Sequence, residues 1–291
     1  MTKRRDFIKG MSLTALGLAM SNEALFANFK KRHRIKPGLV TYLWGKDWDV
    51  PTIIRNCEKC DLLGVELRTE HKHGVEPHLT AQQRREVRQR FEDSKVEFVG
   101  YGSNVEFDSP DPAVLKKNMD FGKELIKLTH DVGGSGVKVK PNKFHDSVPR
   151  EKTLEQIGKS LNELSRFARD YGQKIRLEVH GRGTQDLPNI RKIMDVADDP
   201  NVVICWNCNP TDLQGEGFQY NFDLVKDRLG DTIHIHELDT VEYPWEDLMS
   251  NLLQMNYDGW TLWECSSNPS DPVAELLKQR RLWEEMLNKL S

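Results

Sequence analysis

Three short segments of this sequence carry carboxylate and imidazole side chains in alternation with apolar ones. They are 177–180 (Leu-Glu-Val-His), 234–236 (His-Ile-His) and 262–264 (Leu-Trp-Glu). If each segment is a β-strand, successive residues face opposite sides, so the polar members share one face. Carboxylates and imidazoles that meet in one cavity can bind a divalent metal ion or exchange protons with a substrate.

The elements that would position these side chains alternate along the chain. Strand-like runs occupy 38–43, 64–68, 96–100, 136–140, 174–179, 201–206, 232–236 and 259–263. Amphipathic helical stretches include 81–94, 113–130, 151–171, 222–229 and 272–290. Eight strand-then-helix units predict an α/β fold, a single-domain (β/α)8 TIM barrel. An open doubly wound sheet is the alternative. It usually has a glycine-rich turn after the first strand, which this sequence lacks.

The same alternation predicts a polar barrel lumen. The apolar members of each strand must meet the surrounding helices, so the charged members point inward. In the lower layer we expect a closed salt-bridge network in which Glu66 pairs with Lys138 or Arg176. The C-terminal strand ends are different, because TIM barrels place their active sites there. The polar residues at these ends are Lys140, Glu178, His180, Asn207, His236 and Glu264.

On these residues the chain resembles the xylose-isomerase-like barrel superfamily. This superfamily holds sugar isomerases and epimerases of the tagatose-epimerase kind, together with the endonuclease IV branch. Its pattern is a glutamate on strand five, an aspartate on strand six, His-x-His on strand seven and a glutamate on strand eight. The first, third and fourth of these are present here, and the resemblance covers roughly residues 38 to 290.

The resemblance implies that Glu178, His236 and Glu264 are metal ligands and that both glutamates also exchange protons with the substrate. It implies a divalent metal cofactor of the Mn, Mg, Co or Zn type. The strand-six aspartate falls on Asn207, and a family histidine three residues later falls on Pro210. An amide oxygen can coordinate a metal but adds no negative charge, so Asn207 as a ligand implies weaker metal binding or loss of the metal.

Two further catalytic candidates lie at these strand ends. His180 continues the inward face of strand five, and Lys140 ends strand four. Lys140 would polarise a carbonyl or hydroxyl of the substrate, or it would form a lumen salt bridge with Glu178.

The substrate-binding candidates follow strands one, two and five. Tyr42 and Trp44 suit a wall that stacks against a sugar, or they are core aromatics. His71 and His73 would touch the substrate or supply a proton, or they belong to a solvated polar loop. Arg182, flanked by two glycines, is a candidate for an anion contact.

Composition excludes several classes of protein. The 291 residues are 37% hydrophobic and 30% charged, with a net charge of -3, which is untypical of a disordered chain or a nucleic-acid-binding surface. No apolar run after the first 20 residues is long enough to span a bilayer, so we expect no stable membrane insertion. The pairs Cys57/Cys60 and Cys205/Cys208 lie in a helical and a strand pattern, which favours buried hydrophobes over a zinc site.

The N-terminus has the pattern of an export signal. Residues 2–9 (Thr-Lys-Arg-Arg-Asp-Phe-Ile-Lys) resemble the twin-arginine motif, and a short apolar stretch follows. We predict a signal peptide over residues 1–27, with an uncertain cleavage site, and a barrel domain over residues 28–291. The predicted location is therefore the periplasm.

These observations predict an exported enzyme that acts on an unphosphorylated sugar or keto-sugar. It would remove a proton next to a carbonyl with the help of a metal, as isomerases and epimerases do. The alternative on the same barrel is a 3-keto-glycoside lyase or hydratase, which shares the first step. A non-catalytic carbohydrate-binding protein is the alternative of another class. The sequence does not determine the oligomeric state, and a homo-oligomer is compatible with it.

Overall fold

The computed structural model describes residues 33–239 and 242–291. Strands and helices alternate through this part of the chain, as predicted. The strands are β1 (Lys36–Val40), β2 (Gly64–Arg68), β3 (Glu97–Glu106), β4 (Gly136–Lys140), β5 (Lys174–Glu178), β6 (Val202–Asn207), β7 (Leu229–Ile235) and β8 (Trp260–Trp263). The helices are α1 (Val50–Cys60), α2 (Ala81–Glu92), α3 (Pro112–Val132), α4 (Arg150–Arg169), α5 (Leu187–Val196), α6 (Phe218–Val225), α7 (Trp245–Gln254) and α8 (Pro272–Leu290).

The eight strands close into one parallel barrel in chain order, which confirms the predicted (β/α)8 fold. The closing pair is β1 with β8, in which Gly38 lies opposite Leu262. Between β4 and β5, Lys138 lies opposite Arg176. All strands therefore end at the same face of the barrel, and their last residues surround one opening.

Local sequence explains where several helices begin and end. The Asp49 side chain accepts a hydrogen bond from the Thr52 backbone N–H and caps α1, and Thr80 forms a capping box with Gln83 at the start of α2. Gly133 ends α3 with a φ of 98°, a left-handed conformation that glycine adopts without strain. Among the described residues, no helix is both long enough and apolar enough to cross a membrane.

The inward and outward faces of the strands follow the predicted alternation. Val137, Val139, Ile175 and Leu177 are fully buried in the hydrophobic cluster that the helices cover. The alternate positions carry polar side chains that are also buried, but in the lumen. These lumen residues include Glu66, Lys138, Arg176, Glu178 and His234.

The lower layer of the lumen differs from the network we expected. Arg176 pairs with Asp231 at the start of β7, with Nε 2.9 Å from Oδ1 and Nη2 3.1 Å from Oδ2. Lys138 extends towards Glu178, and Glu66 faces His234. The expected pairing of Glu66 with Lys138 or Arg176 is therefore wrong. Strand alternation gives the face of a side chain but not how far a long lysine or arginine reaches along the lumen.

Glycine makes room for the Arg176 guanidinium. A Cβ on Gly100 would overlap the Arg176 Nη1 atom and the Gly136 carbonyl oxygen, and a Cβ on Gly136 would lie 2.9 Å from the Arg176 Cζ atom. Arg176 Nη2 also donates to the Ser135 hydroxyl at 2.8 Å. The arginine can cross the lumen because these two neighbouring strands present no side chain to it.

Candidate active site

A cavity of about 210 Å³ opens at the C-terminal end of the barrel. Residues from several strand ends and the loops after them line it, as expected for this fold. They are Tyr42, Arg68, Lys140, His180, Asn207, Asn209, His236, Glu264 and Ser266. Six of these residues, at positions 42, 140, 180, 207, 236 and 264, were predicted from the sequence.

Beneath the cavity, His234 lies among three buried carboxylates. Its Nδ1 atom is 3.0 Å from Glu264 Oε2 and 3.3 Å from Glu178 Oε1. Its Nε2 atom is 3.3 Å from Glu66 Oε1, a close ionic contact whose geometry is not that of a hydrogen bond. Strand alternation places His234 on the inward face with His236, but His234 is not among the residues that the sequence predicts for the site.

Two cations are paired with these carboxylates. Lys138 Nζ donates to Glu178 Oε2 at 2.6 Å, and Arg68 Nη1 donates to Glu264 Oε1 at 2.6 Å. The Lys138 side chain is fully buried and that of Arg68 is 12% exposed. The alternative we considered, a salt bridge between Lys140 and Glu178, is replaced by the Lys138 pair. Lys140 instead donates to Asn104 Oδ1 at 2.8 Å.

The paired charges determine how these groups titrate. Burial would raise the pKa of Glu178, but Lys138 and His234 outweigh it and hold that pKa well below its ordinary value. Burial opposes ionisation of Glu264 too, yet contact with His234 lowers its pKa. Burial alone would lower the pKa of His234, whereas the negative charges of Glu66 and Glu264 help to raise it well above the ordinary value. Both glutamates are therefore carboxylates at neutral pH.

His180 and Lys140 differ from this buried network because both line the cavity. Burial lowers the pKa of each of them, and each is also close to the cation Lys138. A lowered histidine pKa leaves the His180 imidazole uncharged at neutral pH, with a lone pair that can accept a proton. The buried Nδ1 atom of His180 has no hydrogen-bond partner among the described residues.

His236 and Asn207 complete the inner wall. His236 Nδ1 is 2.9 Å from the Glu264 backbone carbonyl oxygen, which can only accept, so Nδ1 carries a proton and donates it to this oxygen. Asn207 Nδ2 donates to Glu178 Oε1 at 3.3 Å. Its Oδ1 atom is buried without a hydrogen-bond partner in the part of the chain that the structure describes.

The five predicted substrate-binding residues separate into two groups. Tyr42 lines the cavity, with its ring centroid 5.2 Å from the Arg68 guanidinium carbon. The other four are not among the lining residues. Trp44 is a core aromatic whose Nε1 donates to the Ser267 carbonyl oxygen at 3.0 Å, and Arg182 is exposed on its loop. The position of Trp44 corresponds to the core alternative that the sequence left open.

The two loop histidines sit beside the site rather than in its wall. His73 is buried, with Nε2 2.7 Å from the Arg68 carbonyl oxygen and Nδ1 accepting from the Val75 N–H at 3.0 Å. Burial lowers the pKa of His73 to about 4, so this imidazole is neutral and holds the loop in place. His71 is partly buried, and burial lowers its pKa too. The structural role of these histidines could not be predicted from the sequence, because residues of a polar loop show no periodic pattern of burial.

The ligand spacing of the site suits a metal ion, but its charge does not. Glu178, His234 and Glu264 each offer one ligand atom, and these atoms lie within 4.8 Å of one another, so the triad could hold a metal. However, Lys138 and Arg68 already neutralise Glu178 and Glu264 at 2.6 Å, and Glu66, the third carboxylate, faces His234. A divalent ion would add two positive charges beside these buried cations. The residues present therefore do not fit the metal that the family resemblance implies.

The family model described as "Xylose isomerase-like TIM barrel" matches residues 54–287. The chain belongs to this family. No protein with curated annotation shows significant sequence similarity to the chain.

Solved structures share the fold of this family member at low identity. L-ribulose 3-epimerase has a TM-score of 0.75 at 14% identity and covers 88% of this chain and 95% of its own. The 3-keto-D-glucoside 4-epimerase YcjR of E. coli has a TM-score of 0.72 at 14% identity, over 87% and 99% of the two chains. The probable 3-DHS dehydratase AsbF of Bacillus anthracis has a TM-score of 0.66 at 11% identity, over 86% and 98%. Similarity at this level shows the shared barrel alone.

Proposed function

We propose that the protein is an enzyme of the sugar isomerase and epimerase kind. It removes a proton next to the carbonyl of an unphosphorylated sugar or keto-sugar. The observation that carries the proposal is the cavity wall, which combines a neutral imidazole (His180), a carboxylate (Glu264) and an ammonium group (Lys140). The epimerases and the dehydratase that share the barrel support the same class of chemistry.

We assign the proton transfer to groups on different sides of the cavity. His180 follows β5, while Glu264 follows β8, three strands further round the barrel. The Glu264 carboxylate can remove the proton from one face of the carbon, and His180, once it has taken up a proton from solvent, can supply that proton to the opposite face, which is epimerisation. The protonated Glu264 then returns its proton to solvent. Glu178 lies deeper, is 1% exposed and does not line the cavity, so it supports the site rather than meeting the substrate. This differs from the family role that the resemblance implies for Glu178.

The negative charge that develops on the substrate oxygen needs a cation. Lys140 lines the cavity and is held by Asn104, so its ammonium group can donate to that oxygen. Tyr42 adds an aromatic surface for the sugar ring beside Arg68. Together these residues bind and orient the substrate while His180 and Glu264 move the proton.

The alternative on the same site is a 3-keto-glycoside lyase or hydratase. It shares the first proton abstraction, but the intermediate then loses a substituent. The barrel supports this alternative to the extent that one similar structure is a probable dehydratase and another acts on a 3-keto-glucoside. Mass spectrometry separates the two, because epimerisation leaves the substrate mass unchanged in ordinary water and elimination does not.

The test is solvent exchange. Purified protein is incubated with a panel of ketoses and 3-keto-glycosides in deuterated water, and deuterium incorporation is followed by NMR. We expect exchange at the carbon next to the carbonyl of one substrate class. His180→Gln and Glu264→Gln should each lower the rate by about 10²–10⁴-fold. Matched controls are His130→Gln and Glu163→Gln, which change exposed helix residues outside the cavity lining.

Absence of exchange with every substrate, together with sugar binding, would favour the carbohydrate-binding protein. Full exchange in both site variants would contradict the assignment of the proton-transfer groups.

We also propose that the protein is exported by the twin-arginine route and acts in the periplasm. The support is the sequence motif over residues 2–9, which lies outside the described residues, as does the predicted signal peptide as a whole.

A further inference from the structure

The ionic groups at and below the cavity form a compact set in which a lysine or an arginine meets two of the three carboxylates around His234, while Glu66 faces His234 itself. Lys138 Nζ lies 2.6 Å from Glu178 Oε2, and Arg68 Nη1 lies 2.6 Å from Glu264 Oε1. The two carboxylates are held on either side of His234. A metal ion that used the facing oxygens would have to share both carboxylates with these cations.

Position 207 is consistent with the same conclusion. Asn207 supplies no negative charge, and it turns its amide N–H group towards Glu178 Oε1 at 3.3 Å. Because this N–H group donates to Glu178 Oε1, it occupies a lone pair that a metal ion would otherwise use. The site therefore has one acidic donor fewer than the family pattern, and protein cations contact both of its glutamates.

We infer that Lys138 and Arg68 take the electrostatic place of a divalent metal ion, and that the site binds no such ion tightly. The two cations keep the buried carboxylates ionised and in position. The third cation, Lys140, lines the cavity as Arg68 does, but its hydrogen-bond partner is the uncharged Asn104 rather than a carboxylate, so it is the group that can meet a negatively charged substrate oxygen. Only this last role rests on the proposed function.

Direct metal binding tests the inference without any substrate. Mn²⁺ is titrated into the metal-depleted full-length protein, and free Mn²⁺ is measured by electron paramagnetic resonance. We expect no stoichiometric binding to the wild type at Mn²⁺ concentrations up to about 10⁻⁴ M. Stoichiometric binding to the wild type in this range would overturn the inference, and it would leave the proposed proton transfer untouched.

Two variants test whether the cations exclude the metal. Asn207→Asp restores the acidic donor, and Lys138→Met combined with Asn207→Asp also removes a competing cation. The double variant should bind Mn²⁺ at least about tenfold more tightly than Asn207→Asp alone, because ligand charge sets the affinity. Equal affinity in the two variants would contradict the role of Lys138.

The matched control is Lys174→Met combined with Asn207→Asp. Lys174 is the first residue of β5. It pairs with Asp231 at the end of the barrel opposite the cavity. It should leave Mn²⁺ affinity at the Asn207→Asp value. Circular dichroism checks folding, and Arg68→Gln combined with Asn207→Asp replaces the Lys138 variant if that protein does not fold. The same gain in affinity is expected from it.

Discussion

Removing the negative charge of Asp231 should destabilise the barrel from its N-terminal end. Arg176 is fully buried, and Asp231 accepts from its Nε at 2.9 Å and from its Nη2 at 3.1 Å. Asp231→Asn keeps the shape but leaves a buried guanidinium without its counter-charge. Loss of one partner of a buried ion pair costs about 3–5 kcal/mol, and we expect the lower value, about 3 kcal/mol, because water reaches Asp231. The side chain of Asp231 is 26% exposed.

The measurement is urea unfolding at pH 7, followed by circular dichroism, with thermal unfolding as a second readout. A loss of about 3 kcal/mol should lower the Tm by about 6–12 °C for a domain of this size. The control is Lys174→Met, which removes an exposed cation 3.2 Å from the same carboxylate and should cost less than about 1 kcal/mol. If Asp231→Asn and the control had equally small effects, the buried pair would not be a major source of stability.

The same pair predicts an acid-dependent loss of stability. Burial opposes ionisation of Asp231, but Arg176 outweighs it and lowers the pKa to about 2, below the ordinary value of 3.8. A lowered carboxylate pKa in the folded state means that its contribution is complete above pH 4 and disappears as the pH falls towards 2. The stability difference between wild type and Asp231→Asn should therefore shrink over this interval. A constant difference would show that the charge is not responsible.

Three further predictions concern other parts of the chain. Burial raises the pKa of Asp212 from 3.8 to about 7, so its ionisation should cost up to about 4 kcal/mol of stability as the pH rises from 4 to 7. Urea unfolding should show this pH dependence in the wild type and a flatter one in Asp212→Asn. Burial raises the pKa of the Cys57 thiol, and it raises the pKa of the Cys60 thiol to about 11. Both cysteines should therefore react with a thiol reagent only after unfolding, and rapid reaction of the folded protein would refute this. Changing Arg4 and Arg5 to lysine should leave precursor in the cytoplasm, and equal periplasmic yield in a fractionation assay would show that the motif is not a twin-arginine signal.

The barrel could be predicted from the sequence because each strand carries its own two-faced pattern. Ile175 and Leu177 alternate with Arg176 and Glu178, and only a lumen on one side and helices on the other satisfies both sets. The strand ends then follow from the fold, which is why most of the cavity-lining residues were predicted.

The pairing of the charges could not be predicted in the same way. Lys138 and Lys140 share a strand face. Which partner each of them reaches, Glu178 for Lys138 and Asn104 for Lys140, depends on how far neighbouring strands are shifted along the barrel axis, and the sequence does not give that shift. Arg68 was missed because its partner Glu264 lies 196 positions away, and only the closure of the barrel brings them together. Asn104 was missed because β3 was predicted to end at residue 100, whereas it continues to Glu106.

Because Gly100 and Gly136 have no side chain, they limit which substitutions the lower lumen of this barrel can accept. The guanidinium of Arg176 occupies the volume that a Cβ at either position would need. A residue other than glycine at position 100 would also collide with the Gly136 carbonyl oxygen, so a shorter residue at 176 would not by itself accommodate it. That change would also leave Asp231 with the exposed Lys174 in place of the buried arginine. Positions on four different strands therefore constrain one another, and none of them is among the residues that line the cavity. A barrel of this kind can change its substrate by altering the loops, while a designer who wishes to replace the arginine must redesign the lower lumen in a single step.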